Sequence, residues 1–321
     1  MGLWYKFLHM NKGVFLKKLF SFDEVYATCI RPYDSAGTLL RDKERPFQAL
    51  YGTGQFWYAD PVLFRKNGVS YLFTEAFDCK ERIGRIACSR LEVPFSAPKI
   101  ILKEPFHLSF PRVFSWNDTV YMLPETGADR SIRLYRASSF PDQWDLVCRF
   151  PVAYNYVDIV VTDVMDDRII LLVSEVDESR QYMYRYHRLF LSTENGTYAL
   201  SHDKEFLDAQ SFDHLSRNAG ALFLEDGRII LPTQESTDVS YGVNLRFCEY
   251  DASSYDVTAS PIQTVTPDDI RIHGCSRPIG IHSYSRDEAF EVIDIRYLKF
   301  DPLLYYKRLT AHRRHDNASG D

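Results

Sequence analysis

FWYADPVLFRKNGVSYLFTE, residues 56–75, is two apolar β-type runs folded about Asn67-Gly68. Both turn residues tolerate positive φ, so the stretch reads as a tight hairpin. The unit recurs as LSFPRVFSWNDTVYMLPE (108–125), YVDIVVTDVMDDRIILLVSE (156–175), LSRNAGALFLEDGRIILPTQE (215–235) and RPIGIHSYSRDEAFEVID (277–294). Internal periodicity of roughly 40–60 residues, with one small antiparallel sheet per repeat, is the sequence mark of a propeller. The expected fold is an all-β, five-bladed β-propeller over 23–296. An N-terminal arm or helix over 1–22 and a C-terminal extension over 297–321 flank it.

A propeller gathers the starts of its innermost strands around one axis. Five hairpins with acidic or amide residues at the same end therefore imply one polar site. Counting back from each turn gives a register. Turns at Asn67-Gly68, Asn117-Asp118, Asp166-Asp167, Asp226-Gly227 and Arg286-Asp287 set Asp60 opposite Glu75, Phe110 opposite Glu125 and Asp158 opposite Glu175. They also set Asn218 opposite Glu235, Ala219 opposite Gln234, and Ile279 opposite Asp294. Opposed residues share a sheet face, and a slip of one residue reverses it.

Around the hairpins, Glu24–Ile30 reads as a strand that closes the ring on the last blade, since closure protects sheet edges. Segments 94–105 and 256–270 read as inter-blade loops. Lys6, Lys12, Lys17 and Lys18 break any leader-peptide core, and no run of about 20 apolar residues is present. Peripheral membrane contact by the N-terminus or by Tyr305–Arg308 is weighed against a surface helix packed on the domain. With 38 basic against 44 acidic residues and no basic run interleaved with aromatics, nucleic acid is not an expected partner. Six cysteines at 29, 79, 88, 148, 248 and 275 lack metal or redox spacing, which reads as reduced thiols in a cytoplasmic protein. The sequence leaves the oligomeric state open.

Asp60, Glu125 and Asp158 are the candidate catalytic residues. Two carboxylates held close resist joint ionisation, which suits acid–base work or the gripping of sugar hydroxyls. The alternative for Asp60 is a strand-start cap before Pro61. Glu125 beside Phe110 has the setting of a carboxyl with a raised pKa. Glu75, His107, Glu175, Arg217, Asn218, Gln234, Glu235, His282 and Asp294 are candidate substrate-binding residues. Arg217 suits a carboxylate, a phosphate or a sugar diol, or it neutralises the surrounding acids. No nucleophile elbow, P-loop, dinucleotide motif or calcium loop is present, so no cofactor is expected and no metal ligand is assigned, while an all-carboxylate rim leaves a bound Ca²⁺ open.

Trp57-Tyr58-Ala59-Asp60-Pro61, His107-Leu108-Ser109-Phe110-Pro111, Pro124-Glu125-Thr126 and Ser216-Arg217-Asn218-Ala219-Gly220 occur in that order. This text, over about 50–295, resembles the N-terminal-type domain of glucosamine inositolphosphorylceramide transferase. That domain is related to the five-bladed glycoside hydrolase clan of arabinanases, xylosidases, invertases and levansucrases. The resemblance implies a carbohydrate or nucleotide-sugar ligand, with glycosyl transfer in polysaccharide or glycoconjugate assembly ahead of hydrolysis. A non-catalytic glycan-binding module is the alternative. It also implies that Asp60 matches the clan's base or nucleophile and Asp158 the residue that tunes the site. Asn218 stands where the clan's acid would, which speaks against ordinary hydrolysis unless Glu235 substitutes.

Overall fold

The computed structural model describes residues 22–92, 96–208, 210–251, 256–257, 261–274 and 278–300. The expected arm, apart from Phe22, and the extension beyond Phe300 lie outside these residues, as does Cys275. Five sheets follow one another, four of them antiparallel and the closing one with a single parallel pair at its edge. Blade one comprises β3 (Phe56–Lys66), β4 (Val69–Asp78), β5 (Ile83–Arg90) and β6 (Lys99–Leu102). Blade two is β7 (Ser109–Trp116), β8 (Thr119–Glu125), β9 (Ser131–Ser139) and β10 (Gln143–Pro151). Blade three is β11 (Tyr156–Val164), β12 (Arg168–Val176), β13 (Tyr184–Glu194) and β14 (Thr197–His202). In blade four, β15 (Arg217–Asn218) and β16 (Phe223–Glu225) form a broken inner strand against β17 (Arg228–Thr237). β18 (Ser240–Asp251) follows, edged by β19 (Asp256–Val257) and β20 (Gln263–Val265).

Blade five closes the ring. Its strands β22 (Gly280–Arg286) and β23 (Phe290–Phe300) pair with each other, and β23 pairs in turn with the first of the described strands, β1 (Phe22–Pro32). β1 pairs with β23 along its whole length, from Phe22 opposite Phe300 to Pro32 opposite Phe290. β2 (Phe47–Leu50) and β21 (Ile272–His273) complete the sheet. A buried ion pair locks the closure: Arg31 Nε lies 2.6 Å from Glu291 Oε2. The other Glu291 oxygen accepts from the Leu39 amide at 2.8 Å and the Tyr284 hydroxyl at 2.6 Å. Apolar residues alternating along the strands fill the clefts between blades, as Phe114, Leu123, Ile159 and Leu171 do between blades two and three.

Three details differ from the sequence reading. The loops at 94–105 and 256–270 contain the edge strands β6, β19 and β20. The propeller extends to Phe300, four residues beyond the boundary at 296. The turn of blade five falls at Glu288-Ala289, because the Asp287 carboxylate accepts the amides of Ala289 and Phe290, both at 2.8 Å. Asp at the first position of a turn makes this local bond readily.

Candidate functional site

Near four turns the register is the expected one, as with Lys66 opposite Val69 and Trp116 opposite Thr119. Towards the axis it breaks in every blade. Ala59, not Asp60, opposes Glu75, and Ser109, not Phe110, opposes Glu125. Tyr156, not Asp158, opposes Glu175. Arg217 opposes Gln234 and Asn218 opposes Thr233, which replaces the Asn218–Glu235 and Ala219–Gln234 pairs. In blade five the shift lies between Ile281 and Tyr284, and Asp294 stands opposite it rather than opposite Ile279. The cause is an extra residue, a β-bulge, in the innermost strand. Asp60, Phe110 and Asp158 are the bulged residues of blades one to three, with φ of 49°, 41° and 50°. Asp tolerates this left-handed conformation better than most residues; Phe does not, so the ring seam must hold Phe110 there.

Each bulge frees an amide from its own ladder and directs it to the preceding blade. Asp60 N–H donates to Asp294 Oδ2 at 2.9 Å, and Phe110 N–H to Asp60 Oδ2 at 3.2 Å. Asp158 N–H donates to Glu125 Oε2 at 3.2 Å, and Asn218 N–H to Ser174 Oγ at 3.1 Å. Tyr284 N–H closes the circle on the Ala219 carbonyl at 2.8 Å. Five seams thus form a belt around the axis, and three of its acceptors are carboxylates.

His282 joins two of these acids. Its Nδ1 lies 2.7 Å from Asp294 Oδ1, and its Nε2 lies 3.7 Å from Asp60 Oδ1. The ring stacks with Tyr26, centroids 4.8 Å apart, and with Tyr241 at 5.8 Å, and the two tyrosine hydroxyls lie 3.1 Å apart. Burial works against its charge, but Asp294 and Asp60 together raise the His282 pKa. Burial likewise works to raise Asp294, and the imidazolium holds it below the usual carboxylate range. Asp60 is pushed up to about 6, chiefly by burial, with His282 opposing and Asp294 and Asp158 adding to the rise. Glu75 is raised well above its ordinary value by burial and by the charge of Asp60. Glu125 is pushed up to about 8 by burial and by Asp158, against the pull of Arg217. Burial thus raises both carboxyls, and Glu125, which lacks an imidazole beside it, is raised further than Asp60.

Arg217 is committed inside the protein. Its Nε pairs with Asp158 Oδ2, its Nη1 donates to the Tyr184 hydroxyl at 3.0 Å, and its guanidinium stacks 4.5 Å from the centroid of Tyr241. Gln234 Nε2 also donates to Asp158 Oδ2, at 3.2 Å. Asn218 is fully buried and spends its amide group on the carbonyls of Asp158 and Leu172, so it shapes the axis and does not face a ligand. His107 sits at the rim, where Nδ1 accepts the Gly84 amide at 2.9 Å and Nε2 lies 3.4 Å from Glu75 Oε1. Accepting at Nδ1 fits a neutral ring, and burial lowers the His107 pKa in the same sense.

Two residues stand apart from the cluster. Glu175 bonds to Arg185 and His187, at 2.6 and 2.5 Å. Glu235 accepts from Asn244 at 2.7 Å. The sequence reading also missed Tyr26, Tyr184 and Tyr241. They come from the closing strand and from outer strands, where no hairpin repeat marks them. Trp57 continues the aromatic wall, 5.1 Å from Tyr26 and 4.5 Å from Phe77. It also lines a rim cavity of about 280 Å³ that contains Arg82 and Lys299.

Asp60, His282 and Asp294 offer donor atoms within 4.8 Å of one another, the spacing of a cation site. The oxygens of Asp294 already accept the amides of Asp60, His282 and Ser283 and the His282 ring. A ligand with its lone pairs so occupied fits a proton relay better than a metal.

A sequence profile described as "Glucosamine inositolphosphorylceramide transferase 1, N-terminal" matches residues 49–259. Glucosamine inositolphosphorylceramide transferase 1 of Oryza sativa subsp. japonica is 35% identical over 91 residues, which is 27% of this chain and 12% of that protein. The Arabidopsis thaliana protein of the same description is 36% identical over 91 residues, with the same shares. The match thus spans about an eighth of the length of these curated relatives. Among solved structures, the catalytic domain of Coprinopsis cinerea GH62 alpha-L-arabinofuranosidase aligns with a TM-score of 0.51 at 10% identity, covering 86% of this chain and 97% of that one. That likeness is one of fold.

Proposed function

Since the chain belongs to the family of the N-terminal domain of glucosamine inositolphosphorylceramide transferase 1, we propose that it is a carbohydrate-active propeller that transfers a sugar to an acceptor hydroxyl. The observation that carries this reading is the gathering of buried carboxyls on one axis, where Asp60 accepts the Phe110 amide and Glu125 the Asp158 amide, and burial raises the pKa of both, Glu125 the further. Asp60 takes the proton of the acceptor hydroxyl as that oxygen forms its bond to the anomeric carbon. The bond to the leaving oxygen breaks, and Glu125 donates its proton there. Pairs of titratable groups driven apart by their surroundings divide acid and base roles in this way. Asp158, paired with Arg217, orients the sugar. Tyr26 and Tyr241 hold the His282 ring beside Asp60. A phosphate in the substrate would be repelled by the acids and would lie towards Arg82 and Lys299 at the rim.

The relatives' name specifies a glucosamine-type sugar and an inositolphosphorylceramide acceptor. For this chain we take the broader class, a glycan or nucleotide sugar in glycoconjugate assembly. Peripheral membrane contact and a cytoplasmic location belong to the same proposal. The second reading is a glycan-binding module, and it is supported by how much of Asp60 is bound up in the belt seams. The test is Asp60→Asn, measured for both sugar binding and turnover. Turnover falling about 100-fold or more with binding kept supports the enzyme. Binding with no turnover in either protein supports the module, and no sugar binding at all removes both.

A further inference from the structure

Glu175 lines a second cavity of about 340 Å³, together with Ala153, Asn155, Asp177, Glu178 and Phe212. Small-ligand pockets run from about 300 to 1,000 Å³, so this one has room for a single small ring or two. The carboxylate is built into place. It is 8% exposed, and its Oε2 takes Arg185 Nε at 2.6 Å and His187 Nε2 at 2.5 Å. His187 is held from behind, its Nδ1 3.1 Å from the Tyr156 hydroxyl, which lies 3.3 Å from His202 Nδ1. Both contacts of the carboxylate fall on Oε2, so Oε1 is the oxygen that faces the cavity. A carboxylate only accepts hydrogen bonds, so the group it meets there must donate. Each acid of the wall has its own arginine: Glu175 has Arg185, Asp177 has Arg180 and Glu178 has Arg130. Phe212 gives the cavity an apolar side, with the Arg185 guanidinium 4.6 Å from its ring centroid. The cavity adjoins the axis. Asn155 stands three residues before Asp158, so their Cα atoms are at most about 11 Å apart. Ser174, next to Glu175, accepts the Asn218 amide in the belt.

We propose that this cavity is a second sugar subsite, which holds one neutral, hydroxyl-bearing ring of a glycan whose next rings reach the axial cluster. A ring hydroxyl donates to Glu175 Oε1, and the C–H face of the sugar packs on Phe212. Hydrogen bonds to an ionised acceptor are about twice as strong as neutral ones. Acids already paired attract a cation weakly, and their oxygens repel a phosphate or an acidic sugar. Resting on the carbohydrate reading, the subsite narrows the ligand to an oligosaccharide of at least two rings.

The test is glycan-array binding of the full chain, followed by titration of the best-bound glycan and of its terminal monosaccharide, for wild type, Ala153→Trp and Glu175→Gln. Ala153 is exposed, so an indole there fills the cavity and leaves the supports of Glu175 untouched. Its melting temperature should match that of wild type. Wild type is expected to prefer neutral oligosaccharides and to bind the best of them about tenfold or more tighter than the monosaccharide, the worth of one hydrogen bond to a charged group. Both variants are expected to lose that gain and to keep the monosaccharide affinity. A Glu175 that only supports the fold would leave Ala153→Trp binding like wild type. If either variant keeps the full gain, if wild type shows none, or if acidic glycans bind best, the subsite is overturned while the carbohydrate reading stands. If wild type binds no sugar of any length, that reading fails and the subsite with it.

Discussion

His282 reaches Asp60 already oriented, because its other ring nitrogen is held 2.7 Å from Asp294. Asp294 in turn is fixed by three backbone amides. A buried carboxylate, an imidazole and a second carboxylate therefore stand in line, and the last of them belongs to the strained bulge of blade one. The imidazolium is the one group beside Asp60 whose charge opposes the rise that burial imposes.

His282→Gln should move the acid limb of activity. Asp60 acts as a base when ionised, so activity falls as pH drops through about 6. Removing the neighbouring cation raises Asp60 further, and the limb should shift to higher pH by about one unit. A pH profile of kcat/KM for both proteins reads this directly. An unmoved limb would show that His282 only supports the fold.

Glu125→Gln should remove the alkaline limb. In the wild type the acid is lost as pH rises through about 8, so activity should follow a bell between about 6 and about 8. Stability carries an independent signature. The folded pKa of Glu125 is raised from 4.5, so its contribution is fully present below that value and is lost as pH climbs through about 8. Melting temperatures between pH 5 and pH 9 should decline for the wild type and decline less for Glu125→Gln.

Arg217→Met should cost about 3–5 kcal/mol, since it strands the buried carboxylate of Asp158. Adding Asp158→Asn should restore part of that loss. Urea unfolding of the four members of the double-mutant cycle gives the coupling. Simple addition of the two single losses would mean that the pair is not a unit.

Gly220→Ala should weaken the ring between blades four and five. A Cβ at this position would stand 2.0 Å from the Tyr284 carbonyl oxygen. The chain must therefore shift at the seam where Tyr284 bonds to Ala219. A loss of about 1–3 kcal/mol is expected, read as a lower melting temperature. An unchanged value would show that the seam is slack.

The number of blades, their hairpins and the closing strand were legible because turn chemistry and apolar alternation are local signals. The belt was not. Pro61 and Pro111 are the available clue, since proline inside a strand marks a bulge or an edge. With those bulges placed, Asp60 and Phe110 would have been read as the extra residues instead of as partners of Glu75 and Glu125. The axial gathering of Asp60, Glu75, Glu125, Asp158, His282 and Asp294 follows from symmetry, which the repeat reveals. The commitment of Glu175 to Arg185 and His187, beside a register break two residues deep between Asp163 and Val157, has no cue in the text of blade three. Tyr241 and Tyr184 were hidden because long-range ring stacking leaves no spacing in the chain.

The carboxylate seams have a bearing on how such a fold can be rebuilt. A blade exchanged for one from another propeller would have to bring an acceptor for the next blade and a phased extra residue for the previous one. Shuffling of single repeats is therefore penalised here even when their apolar faces match. The workable unit of recombination is a run of adjacent blades whose junctions travel together.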